Sequence, residues 1–200
     1  LTSGTIAANQ TICYNTSPSA FTQTVAPIGG NGTYTYQWQE QPLCTGGWGD
    51  IAGATASTYD VPGTITQTTC YRRQVTSGTC GTVYTNSVTV TVYADLTSGT
   101  VATDQTICNT TSPAAFTQTV APTGGNNTYT YQWQEQPLCT GLWTDISGAT
   151  SSTYDVPGTI TQTTCYRRRV VSGGSCGTVY TNTITVTVFG ALTPGSIAAN

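Results

Sequence analysis

The residues best equipped for chemistry in this chain are its eight cysteines. They fall in two sets, Cys13, Cys44, Cys70 and Cys80, then Cys108, Cys139, Cys165 and Cys176. In the first set the spacings are 31, 26 and 10 residues. Zinc ribbons need paired knuckles about two to four residues apart, usually with histidine help, and the chain contains no histidine. All eight cysteines are therefore expected to form disulfides, which places the chain in an oxidising, extracellular location. Four cysteines per set still allow three pairings.

Other chemistry finds few residues to carry it. Asp50 and Asp60 could be imagined as a glycosidase-like carboxylate pair, but both stand beside Gly or Pro turns, where solvated carboxylates are common. With no histidine or lysine in the chain, an imidazole base, an amine nucleophile and a lysine phosphate ligand are all missing. The nucleophile-elbow, phosphate-loop and dinucleotide-binding fingerprints are also lacking. Asp95 and Asp104 flank LTSGTVAT and could suggest calcium, yet Asn9 stands in the first half where Asp104 stands in the second. No D-x-[DN]-x-[DN] loop supports that idea. No enzyme activity, cofactor or metal is expected.

A net charge of −3 with five arginines offers no clustered basic face for nucleic acid. Only 6% of residues are charged, but no apolar run approaches the roughly 20 residues of a spanning helix, so no membrane insertion of this segment is expected. Threonine contributes 46 of the 200 residues. Together with Val, Tyr and Ile, punctuated by Gly and Pro, it points to an all-β protein.

The elements that position the cysteines come in duplicate. Leu1–Asp95 aligns with Leu96–Ala191 through one inserted residue, and 75 of 95 positions are identical. LTPGSIAAN (192–200) matches the opening LTSGTIAAN, so the domains read as 1–95, 96–191 and the start of a third copy at 192–200. A period near 95 residues suits domains that each close a core, as in a beads-on-a-string array.

Within one copy, β-type runs are expected at Thr5–Cys13, Phe21–Ala26, Thr33–Glu40, Trp48–Ile51, Ser57–Val61, Thr68–Thr76 and Val83–Tyr93. Seven short strands with regular turns describe a tandem immunoglobulin-like β-sandwich, disulfide-stapled. Strand alternation places Tyr34, Tyr36 and Trp38 on one face, with Trp38 where such folds bury a tryptophan. Likewise Tyr71, Arg73 and Val75 share the inward face of their run, and Cys70 and Arg72 the outward one. Of the two adjacent arginines, one is expected to pair with a carboxylate or stack on an aromatic ring, and the other to be solvated. In this fold the third strand ends beside the start of the sixth. That favours Cys44–Cys70 and leaves Cys13–Cys80, with Cys139–Cys165 and Cys108–Cys176 in the second copy. If Cys13 lies at the opposite end from the last hairpin, Cys13–Cys70 is the alternative.

The segments TIC, YNTSP, AFTQTVAP, TYTYQWQ, TQTTCYRR and CGTVYTN, followed by VTVTV, resemble immunoglobulin-like repeats of very large Bacteroidetes surface proteins. They are most similar to repeats of the gliding-motility adhesin of flavobacteria, and the resemblance covers essentially all of both copies. It implies a long filament on the bacterial cell surface, exported by the type IX secretion system and handled by motility machinery through other parts of the full protein. Repeats of that family carry cysteines matching Cys13 and Cys80 and a tyrosine at the position of Cys70, which implies that Cys44 and Cys70 are an added pair. It supplies no catalytic residues.

The leading expectation is a non-enzymatic stalk segment of a secreted adhesin, whose partners are neighbouring repeats of the same chain and a surface polysaccharide or substratum. One rival is a carbohydrate-binding module repeated for avidity, with Trp48 and Trp143, in the turns GGWGD and GLWTD, as its glycan contacts. Another is a filament subunit that assembles laterally.

Overall fold

The structure is a computed structural model that describes residues 1–195. Residues 196–200, most of the expected third copy at 192–200, lie outside the described residues. The chain divides into two compact units, one built on Leu1–Asp95 and one on residues from Leu96 onward.

In the first unit the strands are β1 (Thr5–Ile6), β2 (Gln10–Ile12), β3 (Gln23–Val25), β4 (Thr35–Pro42), β5 (Gly49–Asp50), β6 (Thr69–Thr76), β7 (Thr82–Tyr84) and β8 (Val88–Val92). The larger sheet runs β2-β8-β6-β4-β5, with β7 also on β6, and the smaller sheet pairs β1 with β3. The two sheets enclose an aromatic and aliphatic core, and the unit is an immunoglobulin-like β-sandwich. The second unit repeats the plan with β9 (Thr100–Val101), β10 (Gln105–Cys108), β11 (Gln118–Val120), β12 (Tyr129–Pro137), β13 (Thr144–Asp145), β14 (Thr164–Ser172), β15 (Thr178–Tyr180) and β16 (Ile184–Phe189).

Two expected strands are each broken in two, for one reason. The run Thr5–Cys13 changes sheets, β1 pairing antiparallel with β3 and β2 parallel with β8. The run Val83–Tyr93 breaks between β7 and β8. At these breaks side chains replace the ladder. Asn86 Oδ1 accepts from the Ile6 N–H at 2.9 Å, and Asn9 Oδ1 accepts from the Thr89 N–H at 2.9 Å. Asp104 does for Thr185 what Asn9 does for Thr89, at 2.8 Å. The Asn/Asp exchange between copies thus keeps a backbone acceptor. The expected strand Ser57–Val61 reduces to one bridge, Phe21 to Tyr59.

The core of the first unit is Ile6, Phe21, Trp38, Val61, Tyr71, Val88 and Val90. Trp38 is 0% exposed and its indole N–H donates to Ala56 O at 2.9 Å, so burial leaves no orphaned donor. Phe21 packs tilted on Tyr71 with ring centroids 4.9 Å apart. The second core is built on the matching Phe116, Trp133 and Tyr166.

Burial pushes the Tyr71 phenol up to about 12, helped by the charges of Glu40 and Tyr59 and opposed by its hydrogen bond to Thr69. Tyr166 is raised to about 12 in the same way. A phenol whose folded value exceeds its unfolded value of 10.0 contributes stability that is full below pH 10 and lost as pH rises towards 12. Each unit is expected to lose on the order of 3 kcal/mol across that window. Denaturant midpoints at pH 9 and pH 12 check this, and Tyr71→Phe with Tyr166→Phe should flatten the profile.

Candidate functional site

Strand β4 lies antiparallel to β6 with Gln41 opposite Cys70 and Pro42 opposite Thr69. The chain then turns sharply, Thr45 N–H donating to Pro42 O at 3.3 Å, with Leu43 and Cys44 at φ of 54° and 53°. That turn carries Cys44 back onto the outer face of the sheet, where it is bonded to Cys70. Cys139 and Cys165 are bonded in the same way. Disulfides within each unit belong to an extracellular or secreted setting.

The other cysteines depart from the expected scheme. Cys80 and Cys108 are free and exposed, whereas Cys13 and Cys176 are disulfide-bonded. Neither the expected Cys13–Cys80 bond nor the expected Cys108–Cys176 bond therefore forms. Geometry forbids them. Ile12 lies level with Val92 at the end of the sheet where β6 begins, and Cys80 follows the end where β6 finishes. The eight residues of β6 separate those ends by about 26 Å, and a disulfide tolerates a Cα separation of only about 7 Å. Cys70 is held by Cys44, which removes the alternative Cys13–Cys70.

On the outer face of the larger sheet the side chains form a stacked strip. The Arg72 guanidinium sits 4.3 Å from the Trp48 ring centroid and 4.0 Å from that of Tyr84. Its Nε donates to Gln39 Oε1 at 2.7 Å, and Gln39 Nε2 donates to Asp50 Oδ1 at 2.7 Å. The second unit repeats the strip with Arg167 between Trp143 and Tyr180, at 4.3 and 4.0 Å. There Arg169, which stands where the first unit has Gln74, adds an ion pair to Asp145 at 3.1 Å. Burial lowers the Arg167 pKa, opposed by Tyr180. Trp48 and Trp143 are half-buried, and one face of each indole is covered by the guanidinium. Tyr84, at 46% exposure, is the open end of the stack.

Arg73, next along β6, points the other way and is 0% exposed. Its guanidinium packs 4.5 Å from the Tyr36 ring centroid and donates to Ser57 O at 2.5 Å and to Ser3 O at 3.4 Å. No carboxylate takes part in these contacts. Burial lowers its pKa, and the Tyr36 contact opposes that shift. Both arginines therefore stack on aromatic rings and neither is solvated as expected. Alternation already showed Arg73 facing inward. What it lacked was a donor count, because five N–H groups can tie carbonyls that no strand ladder reaches.

Asp50 is engaged by Gln39, and Asp60 lines a shallow cavity of about 270 Å³ beneath Thr55, Tyr59 and Pro62. Among the described residues no three His, Cys, Asp or Glu side chains gather to hold a metal ion.

A family model described as a domain of unknown function, DUF8696, matches residues 2–94 and again residues 97–190. No curated protein matches the chain in sequence. Among solved structures it is similar to three N-terminal domains of the highly immunogenic outer capsid protein of bacteriophage RB49, at 12% identity and a TM-score of 0.49, over 92% of this chain and 69% of that one. It is also similar to the insect immune protein hemolin, at 11% identity and 0.45, over 92% of this chain and 46% of that one. Sidekick-1 immunoglobulin domains 1–4 match at 11% identity and 0.43, over 98% of this chain and 48% of that one. The chain thus spans about half the length of the Sidekick-1 and hemolin structures.

Proposed function

The chain belongs to the DUF8696 family, two copies in tandem, and from that premise we propose that it is a load-bearing stalk segment of a large secreted cell-surface adhesin. The observation that carries this reading is the parallel pairing of β2 with β8, Gln10 to Val90 and Ile12 to Val92. These are an early and the last strand of the unit. In a parallel pair of this kind a pull on the two ends loads the hydrogen bonds together, in shear, instead of peeling them one at a time. The second unit repeats the pairing from Gln105 with Val186 to Cys108 with Phe189. The sequence resemblance adds the setting, attachment or gliding at a bacterial surface.

Stretching the reduced chain from its two ends tests the reading. Two abrupt steps are expected, each releasing roughly 300 Å of contour for a unit of about 95 residues. Ile12→Pro, at the β2 position that faces β8 and whose carbonyl accepts from the Tyr93 N–H, removes an amide donor from that ladder and should weaken one step and leave the other unchanged. Smooth extension with no steps would rule out a load-bearing role.

A second reading keeps the Trp48–Arg72–Tyr84 strip as a glycan contact, because the identical strip in both units suits avidity. It expects a polysaccharide to be retained by the chain and lost from Trp48→Ala/Trp143→Ala, with no change in melting cooperativity. A glycan array that captures nothing would remove it.

A further inference from the structure

We propose that the cavity at Glu40, with its duplicate at Glu135, binds an amino sugar, the ammonium seated on the carboxylate and the ring hydroxyls on the surrounding threonines and glutamine. Glu40 stands two residues after the buried Trp38 on β4, so it shares the face that looks into the sandwich, and it lies opposite Tyr71 of β6. Beside it the first unit leaves a cavity of about 230 Å³, lined also by Thr64, Thr66, Gln67, Thr69 and Tyr71. The second unit repeats the cavity at about 260 Å³, with Glu135, Thr159, Thr161, Gln162, Thr164 and Tyr166. Both volumes fall below the roughly 300–1,000 Å³ of sites for drug-sized ligands, so a single small ring is the fit. Pro42 and Ile65, the two apolar members of the lining, offer a patch on which the C–H face of a sugar can rest.

The carboxylate is the charge that selects the ligand. Among the described residues no hydrogen bond or ion pair engages the carboxylate of Glu40 or Glu135, and the chain has no lysine that could. The arginines of the first unit are committed elsewhere, Arg72 between Trp48 and Tyr84 and Arg73 to Ser3 O and Ser57 O. The charge of Glu40 is felt within the site: after burial, it is the next cause raising the phenols of Tyr59 and Tyr71, and Glu135 acts in the same way on Tyr154 and Tyr166. The hydroxyls of the first cavity are also rich in lone pairs. Thr64 gives its proton to Asn15 Oδ1 at 2.6 Å and Thr69 gives its own to Gln67 O at 3.2 Å. A ligand here must therefore bring protons, an ammonium for Glu40 and hydroxyls for the threonine oxygens.

A divalent cation suits the cavity poorly, because no second acidic side chain lines it beside Glu40. All eight residues that line the Glu40 cavity recur unchanged around Glu135. The cavity at Asp60 instead varies between the copies, with Ser147 and Ser151 standing where the first unit has Ala52 and Ala56. The Glu40 site shares no residue with the β2–β8 pairing or with the Trp48–Arg72–Tyr84 strip, so it stands or falls apart from the stalk and strip readings.

Titration of the whole chain with glucosamine, followed by the backbone amide signals in NMR spectra, tests the proposal. Shifts are expected in residues 64–71 and 159–166, saturating at two molecules per chain. Glucose and N-acetylglucosamine, which lack the ammonium, and ethylamine, which lacks the hydroxyls, should each bind at least about tenfold more weakly. Glu40→Gln should remove the first set of shifts and keep the second, Glu135→Gln the reverse, with the melting temperature unchanged in both. Trp48→Ala/Trp143→Ala should leave the affinity as it is. An absence of shifts in both sets overturns the proposal. So does any of the three analogues binding as tightly as glucosamine, or glucosamine binding that survives Glu40→Gln/Glu135→Gln or disappears with the two tryptophans.

Discussion

Arg73→Ala is expected to cost the first unit about 3–5 kcal/mol, far more than the roughly 1 kcal/mol expected from Arg72→Ala one residue away. Arg73 fills a fully buried site, and its guanidinium ties Ser3 O and Ser57 O, two carbonyls outside the strand ladders. Truncation strands both acceptors and opens a cavity against Tyr36. Arg72 keeps its contacts at the surface, where solvent can replace them. Burying an unpaired charge is itself costly, and the Arg73 Nε has no hydrogen-bond partner. Arg73→Met therefore separates stem from charge: recovery of most of the loss would show that packing, not the guanidinium, stabilises the site. Arg168 gains one donor contact that Arg73 lacks, to Gln118 Oε1 at 2.9 Å. Arg168→Ala should exceed Arg73→Ala by about 1 kcal/mol. Denaturant unfolding of the two single variants decides this, and a loss below about 1 kcal/mol for Arg73→Ala would contradict the account.

Removal of the Cys44–Cys70 bond, as Cys44→Ser/Cys70→Ser, is the second large expected effect. The bond joins residues 26 apart, and a loop of that length corresponds to about 3.5 kcal/mol of lost denatured-state entropy. For a domain of this size the melting temperature should fall by about 14–28 °C. Because the second unit keeps Cys139–Cys165, one cooperative transition should split into two. Some of the loss is offset locally. Leu43 and Cys44 both occupy left-handed backbone, a conformation that costs about 1–2 kcal/mol for an ordinary residue, and without the bond the turn can relax. Calorimetry in the absence of reductant checks the split. A single transition displaced by less than about 3 °C would show that the bond contributes little to stability.

Much of the architecture was legible because a strand's side chains alternate with a period of two, and that period survives in the sequence. Trp38, Tyr71 and Val75 were read as inward, and all three are buried; Cys70 was read as outward, and it stands outside the core cluster, bonded to Cys44 and only 7% exposed. The strand breaks were not legible. Val83–Tyr93 has one uninterrupted β pattern, and it is broken by Asn86 reaching Ile6, 80 residues away. A pattern within a strand carries no record of so distant a partner.

The sequence by itself determined the duplication, the all-β sandwich and which face each strand buries, since these depend on local alternation and on repeated letters. Only the tertiary structure decided which cysteines can meet and what surrounds each arginine. Cys13 and Cys80 were compatible in every local respect, yet they stand at opposite ends of a sheet whose length is set by β6. Covalent pairing depends on a few ångströms between strand ends, and strand-end proximity belongs to the fold and not to the spacing of residues along the chain.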